Sequence, residues 1–142
     1  GYASRVFVSG TLAYVAEEPR DLRGKPRRWP PWPTSTGLRI IDVSNPSSPR
    51  LRASFKTPDW PREVFVSGDL AYVAAGESGL QILDVTNPSR PRLRGSFKTP
   101  DPAYGLFVSG DLAYVAASNS GLLIFDVSDP SSPRLLRSSD TP

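Results

Sequence analysis

Val64-Phe65-Val66-Ser67-Gly68-Asp69-Leu70-Ala71-Tyr72-Val73-Ala74 returns 42 residues later as Leu106-Phe107-Val108-Ser109-Gly110-Asp111-Leu112-Ala113-Tyr114-Val115-Ala116. A self-similarity of this period marks a repeat architecture and fixes the fold class before any single element is assigned. An earlier copy, Val6 to Ala16, stands 58 residues ahead of the second, measured from Phe7 to Phe65. Downstream of each copy a Gly-Leu-x-Ile-x-Asp-Val-Ser/Thr-x-Pro pattern begins at Gly37, Gly79 and Gly121, each step 42 residues. The first repeat is therefore longer by 16 residues, and the surplus lies between Ala16 and Gly37.

Each repeat reads as four short strands. Val64 to Ser67 is apolar on both faces, as in a strand buried between neighbours. Leu70 to Ala74 follows a Gly-Asp pair suited to a tight hairpin. Leu80 to Val85 is rich in Leu and Ile and runs into an Asp-x-Ser/Thr-Asn/Asp-Pro turn, where short polar side chains bond the backbone and Pro fixes φ. The fourth strand alternates, with Leu93, Gly95 and Phe97 expected on one face and Arg92, Arg94, Ser96 and Lys98 on the other. The expectation is an all-β chain of three four-stranded antiparallel β-propeller blades, each most buried at its first strand and wettest at its fourth. The blades fall at 1–58, with an insertion at about 17–36, then 59–100 and 101–142.

The pattern carried by Val64, Val66, Gly68, Ala71, Tyr72, Val73, Ala74, Gly79, Leu80, Ile82, Asp84, Val85, Pro88 and Pro91, with counterparts in the other repeats, resembles that of the LVIVD-repeat family of bacterial and archaeal β-propellers. The resemblance implies the propeller fold and an extracellular or cell-surface location, and it carries no uniform catalytic motif.

Composition narrows the chemistry. Without Cys there are no disulfides, and without His there is neither imidazole base nor imidazole ligand. The net charge of +3 is too mild to demand nucleic acid. No apolar run approaches the roughly 18 residues that span a bilayer. The absence of Met fits a processed chain or a piece of a longer one.

Propellers close with about four to eight blades, so three leave an apolar face open at each end. Two chains joined head to tail would close a six-bladed ring, and the same contact without closure would give a filament. A third possibility is that further blades belong to the same longer chain. The closed dimer is the favoured expectation, with the face that starts at Val6 against the Leu122 to Val127 face of a second copy. The last strand departs from its siblings: Arg137 stands where the second repeat has Gly95, and Ser139 where it has Phe97. Terminal repeats are expected to be atypical in this way.

The segments leading into the first strand of each repeat, and the loops joining second to third strands, fall on one face of such a disc. Tyr2, Trp60, Arg62, Pro102 and Tyr104 gather there, together with the insertion and its Arg27, Arg28, Trp29 and Trp32. Segment 17–36 also holds five basic and three acidic residues, which supplies most of the chain's net charge. Aromatic and Arg enrichment of this kind suits a protein or glycan interface. Trp60 and Tyr104 could equally seal the crevice between blades. The Pro-rich insertion is stiff and inexpensive to order, either as an arm clasping another subunit or as a loop folded on its own blade.

The expected role is non-enzymatic assembly and binding, with no metal or cofactor. The alternative is a carbohydrate-active or lyase-type enzyme using Asp59, Asp101 and Glu63, a carboxylate set of the kind glycoside hydrolysis requires. Asp42, Asp84 and Asp126, repeated before the same turn, read as structural acceptors of backbone N–H groups.

Overall fold

The computed structural model describes residues 2–18 and 37–139. Twelve strands form three separate four-stranded antiparallel sheets, each in simple up-and-down order. The first sheet holds β1 (Tyr2–Ser9), β2 (Leu12–Glu18), β3 (Gly37–Asp42) and β4 (Arg50–Lys56). The second holds β5 (Glu63–Ser67), β6 (Leu70–Ala74), β7 (Leu80–Asp84) and β8 (Arg92–Phe97). The third holds β9 (Gly105–Ser109), β10 (Leu112–Ala116), β11 (Leu122–Asp126) and β12 (Arg134–Ser139). The only helical turn among the described residues is a 3₁₀ turn over Ser118–Ser120. No helix there is long and apolar enough to cross a membrane.

The sheets stack face to face like blades, with their first strands side by side. Phe7 and Phe65 lie 4.9 Å apart between ring centroids, and Phe65 and Phe107 5.0 Å, so the three repeated phenylalanines form one inner stack. Strand alternation sends neighbouring residues to opposite faces. Each sheet therefore serves two junctions. Tyr14, Leu38 and Ile40 of the first sheet pack on Val64, Val66, Val73, Leu83 and Val85 of the second. Tyr72, Leu80 and Ile82 of the second pack on Val108, Val115, Leu123 and Phe125 of the third. Phe97 carries its ring across that second junction to within 4.9 Å of Phe125.

Two devices shape the repeat. Gly79 sits at φ +76°, and a Cβ there would come 2.3 Å from the Phe97 carbonyl oxygen, so only glycine lets β7 start beside the end of β8. Asp42, Asp84 and Asp126 each accept the backbone N–H two residues ahead, at 2.8 to 2.9 Å, and thereby hold the turn into the fourth strand. These are the structural acceptors that the sequence suggests. Across the rim, Arg52 Nε donates to Ser89 Oγ at 2.7 Å and Arg94 Nε to Ser131 Oγ at 2.9 Å, so β4 and β8 are each tied to a turn of the next sheet.

Two expectations need correction. The first strand is not the most buried of its sheet: in the second sheet β6 and β7 are buried at nearly every position while β5 is buried only at Val64 and Val66, because a middle strand has a neighbouring strand on each side as well as a sheet on each face. The other concerns the outer strand. Leu93 does not share a face with Gly95 and Phe97. A bulge between Ile82 and Leu83 pairs Gly95 with Ile82 but Leu93 with Leu83, leaving Arg94 as the extra residue. Leu93 therefore turns toward the first sheet at the rim, where it stays exposed. Equivalent bulges break β4 and β12. A bulge inserts one residue and so shifts the alternation that sequence reading assumes to be continuous.

Candidate functional site

The segment before β5 is built to hold Arg62. Thr57 is buried, and its hydroxyl donates to the Asp59 carbonyl at 2.6 Å. Asp59 Oδ1 accepts the Trp60 N–H at 2.9 Å, and the Arg62 N–H bonds the Ala74 carbonyl at 2.7 Å. These bonds set the Arg62 guanidinium 3.5 Å from the Trp60 ring centroid and 4.7 Å from that of Tyr104. Tyr104 arrives from the third sheet, where its N–H bonds the Ala116 carbonyl at 2.9 Å and the preceding Ala103 forms a bridge with Gly76 of the second. The loop joining β6 to β7 thus touches the segment leading into β9, which places those two kinds of connection on one face.

A cation held over aromatic faces gains about 0.5–2 kcal/mol, depending on its desolvation. Burial pushes the Arg62 pKa down, against the opposing attraction of Tyr104, Asp59 and Glu18. Arg62 Nε and the indole Nε1 of Trp60 are buried without a hydrogen-bond partner. The arrangement presents a flat cation edged by two rings, with Tyr104 the most open member at 44% exposure.

Of the expected site residues, then, Trp60, Arg62 and Tyr104 are brought together. Tyr2 opens β1 with its backbone opposite Glu18, beside the same face. Arg27, Arg28, Trp29 and Trp32 lie outside the described residues, as does the insertion's expected role as an arm. The carboxylates proposed for the enzymatic alternative are separately engaged: Asp59 with the Trp60 N–H, Asp101 with the Ser120 hydroxyl, and Glu63 with Arg5 at 3.6 Å. Among the described residues no group of three or more acidic side chains is arranged to hold a metal ion.

Two residues were missed by sequence reading. Glu17 occupies the position that is Ala75 and Ala117 in the other repeats, and Arg39 the position of Gln81 and Leu123. Glu17 Oε1 pairs with Arg39 Nε at 2.9 Å, while Oε2 is buried without a partner. Aligning the repeats position by position exposes both, because an alanine exchanged for a glutamate inside a packed sheet breaks the pattern.

The end faces differ from the interior junctions at matched positions. Val64 and Val66 are 2% and 5% exposed between sheets, whereas their counterparts Val6 and Val8 are 62% and 59% exposed on the open side of the first sheet. On the third sheet, Phe107 is 59% exposed while Phe65 is partly buried.

A family model described as the LVIVD repeat matches residues 1–22, 34–57, 61–99 and 102–141, and the break between the first two segments falls in the insertion. No curated protein matches the chain.

Proposed function

We propose, from the premise that this chain belongs to the LVIVD-repeat family, that it is a non-enzymatic binding module: its blades associate through their end faces to complete a propeller and present the Arg62 face to a protein or glycan ligand. The observation that carries this reading is the contrast between Val6 and Val8, open to solvent, and Val64 and Val66, sealed at the same positions. An apolar side chain of this size gains roughly 1.5–3 kcal/mol on full burial, so two open faces of this composition favour a partner of the same kind. The interior junctions supply the template. At Val6 and Val8 the open side of the first sheet repeats Val64 and Val66 of the second, and at Phe107 and Tyr114 the open side of the third repeats Phe65 and Tyr72, while Glu17, Arg39, Arg137 and Ser139 depart from the second repeat.

Contact between two different faces is head to tail, and with three sheets per chain two copies close a ring of six. A rotation that failed to close would propagate as a filament. An extracellular or cell-surface location belongs to the same proposal and rests on the family resemblance.

The test mixes two variants. Val6→Asp spoils the first face and Phe107→Asp the last, so each variant alone carries the lesion in every head-to-tail junction and stays monomeric. Mixed, they share one intact junction and form a heterodimer. Two variants that remain monomeric when mixed, while the unmodified chain dimerises, would refute head-to-tail pairing.

A further inference from the structure

We infer that Asp59, Trp60, Arg62 and Tyr104 form a binding site for an uncharged pyranose unit of a glycan, with two adjacent sugar hydroxyls held between the Arg62 guanidinium and the Asp59 carboxylate. This names the ligand class of the Arg62 face and rests on the reading of that face as a binding surface. The blade itself does not require these residues: at the positions of Trp60 and Arg62 the first repeat has Tyr2 and Ser4, and the third has Pro102 and Tyr104. Asp101, the counterpart of Asp59, is engaged by the Ser120 hydroxyl. The cluster is assembled from the second and third repeats and is complete within one chain.

Hydrogen-bonding capacity is left over on both the donor and the acceptor side. Bonds from Thr57 to the Asp59 carbonyl and from the Arg62 N–H to the Ala74 carbonyl hold the segment in place. Asp59 spends Oδ1 on the Trp60 N–H, while its Oδ2 is neither shut in nor partnered among the described residues. Among those residues Arg62 forms no ion pair and its guanidinium no hydrogen bond; Nε is shut in, so the two Nη nitrogens carry the available donors. With the Trp60 and Tyr104 rings against it at 3.5 and 4.7 Å, the guanidinium is fixed in orientation and donates in its own plane.

A sugar hydroxyl both donates and accepts. Two of them on adjacent carbons therefore take a hydrogen bond from Arg62 and give one to Asp59 at the same time. The C–H face of the pyranose needs an apolar surface, and Tyr104, 44% exposed beside the guanidinium, supplies it. Charge decides between this ligand and an acidic one. Asp59 and Glu18 both attract the Arg62 charge, so a uronate or an acidic peptide would meet two carboxylates around one guanidinium. An uncharged polyol meets no such repulsion.

The experiment titrates the full chain with the methyl glycosides of glucose, galactose and mannose, with methyl glucuronide and with a hexaglutamate peptide. Binding is read from the indole N–H resonance of Trp60, assigned by its loss in Trp60→Phe. At least one neutral glycoside is expected to shift that signal with a Kd of about 1 mM, unchanged when NaCl rises from about 0.05 to about 0.5 M. Arg62→Lys and Asp59→Asn are each expected to weaken it about tenfold, with circular dichroism showing the sheets intact. Removing one of the two bound hydroxyls from the same glycoside should weaken binding equally, which tests the contact without altering the protein. If the glucuronide or hexaglutamate binds tighter than every neutral glycoside, and does so less at high salt, the saccharide site is refuted while the binding face stands. If no probe moves the signal, or both variants bind as the unmodified chain does, the site is refuted, and self-association is measured independently of either result.

Discussion

Replacing Phe65 by alanine and, separately, Phe107 by alanine compares one residue type at one repeat position in two environments. Phe65 is partly buried and touches two rings, at 4.9 and 5.0 Å, while Phe107 touches one and is 59% exposed. Burial of a phenylalanine side chain contributes roughly 2 kcal/mol and each ring contact about 0.7, which puts Phe65→Ala at about 3 kcal/mol once its residual exposure is discounted. For Phe107, about 40% of the burial and one contact leave about 1.5 kcal/mol. Urea unfolding followed by tryptophan fluorescence, in a Val6→Asp background that holds the chain monomeric, resolves the two. With a slope near ~2 kcal/mol/M the midpoints fall by about 1.5 M and about 0.7 M. Equal shifts, or a Phe65→Ala midpoint within ~0.3 M of its parent, would refute the inner phenylalanine stack as the seam of the fold.

Acid should weaken the turns before the outer strands. Bonds from Ser128, then Arg134, hold Asp126 down to about 2, and bonds from Ser44 and Thr86 lower Asp42 and Asp84. A carboxylate whose folded pKa lies below its unfolded value stabilises above the unfolded pKa and loses that contribution as pH falls through the folded one. The urea midpoint is thus expected to drop from the ordinary carboxylate range down to about pH 2, and Asp42→Asn/Asp84→Asn/Asp126→Asn should flatten the drop; an unchanged profile in the triple variant would place the acid sensitivity elsewhere. At the candidate site, Arg62→Ala should cost about 1 kcal/mol by loss of stacking between Trp60 and Tyr104, and Arg62→Lys should recover only part of it because an ammonium lacks the flat face. A fully recovered Lys variant would show that charge alone matters there.

Much of the fold is legible in the sequence because the repeat supplies its own control. Strand order, the glycine hairpins at Gly10, Gly68 and Gly110 and the Asp-capped turns depend on local chemistry that recurs three times, and the structure has them where the pattern says. The placement of Leu93 was not legible, since a bulge leaves no mark in a run of alternating residues and shows only in the pairing of Gly95 with Ile82. Trp60, Arg62 and Tyr104 could be assigned to one face from topology, but their stacking depends on where a loop of one sheet meets the segment before the next. Glu17 escaped because a charged residue beside a loop reads as solvated, and its burial follows from its pairing with Arg39 across the strand.

Self-association through unlike end faces is measured most directly by the native mass of the unmodified chain across micromolar concentrations. A dominant species of twice the chain mass, dissociating on dilution and abolished by Val6→Asp, is the expected result, whereas a chain that stays monomeric throughout would contradict it.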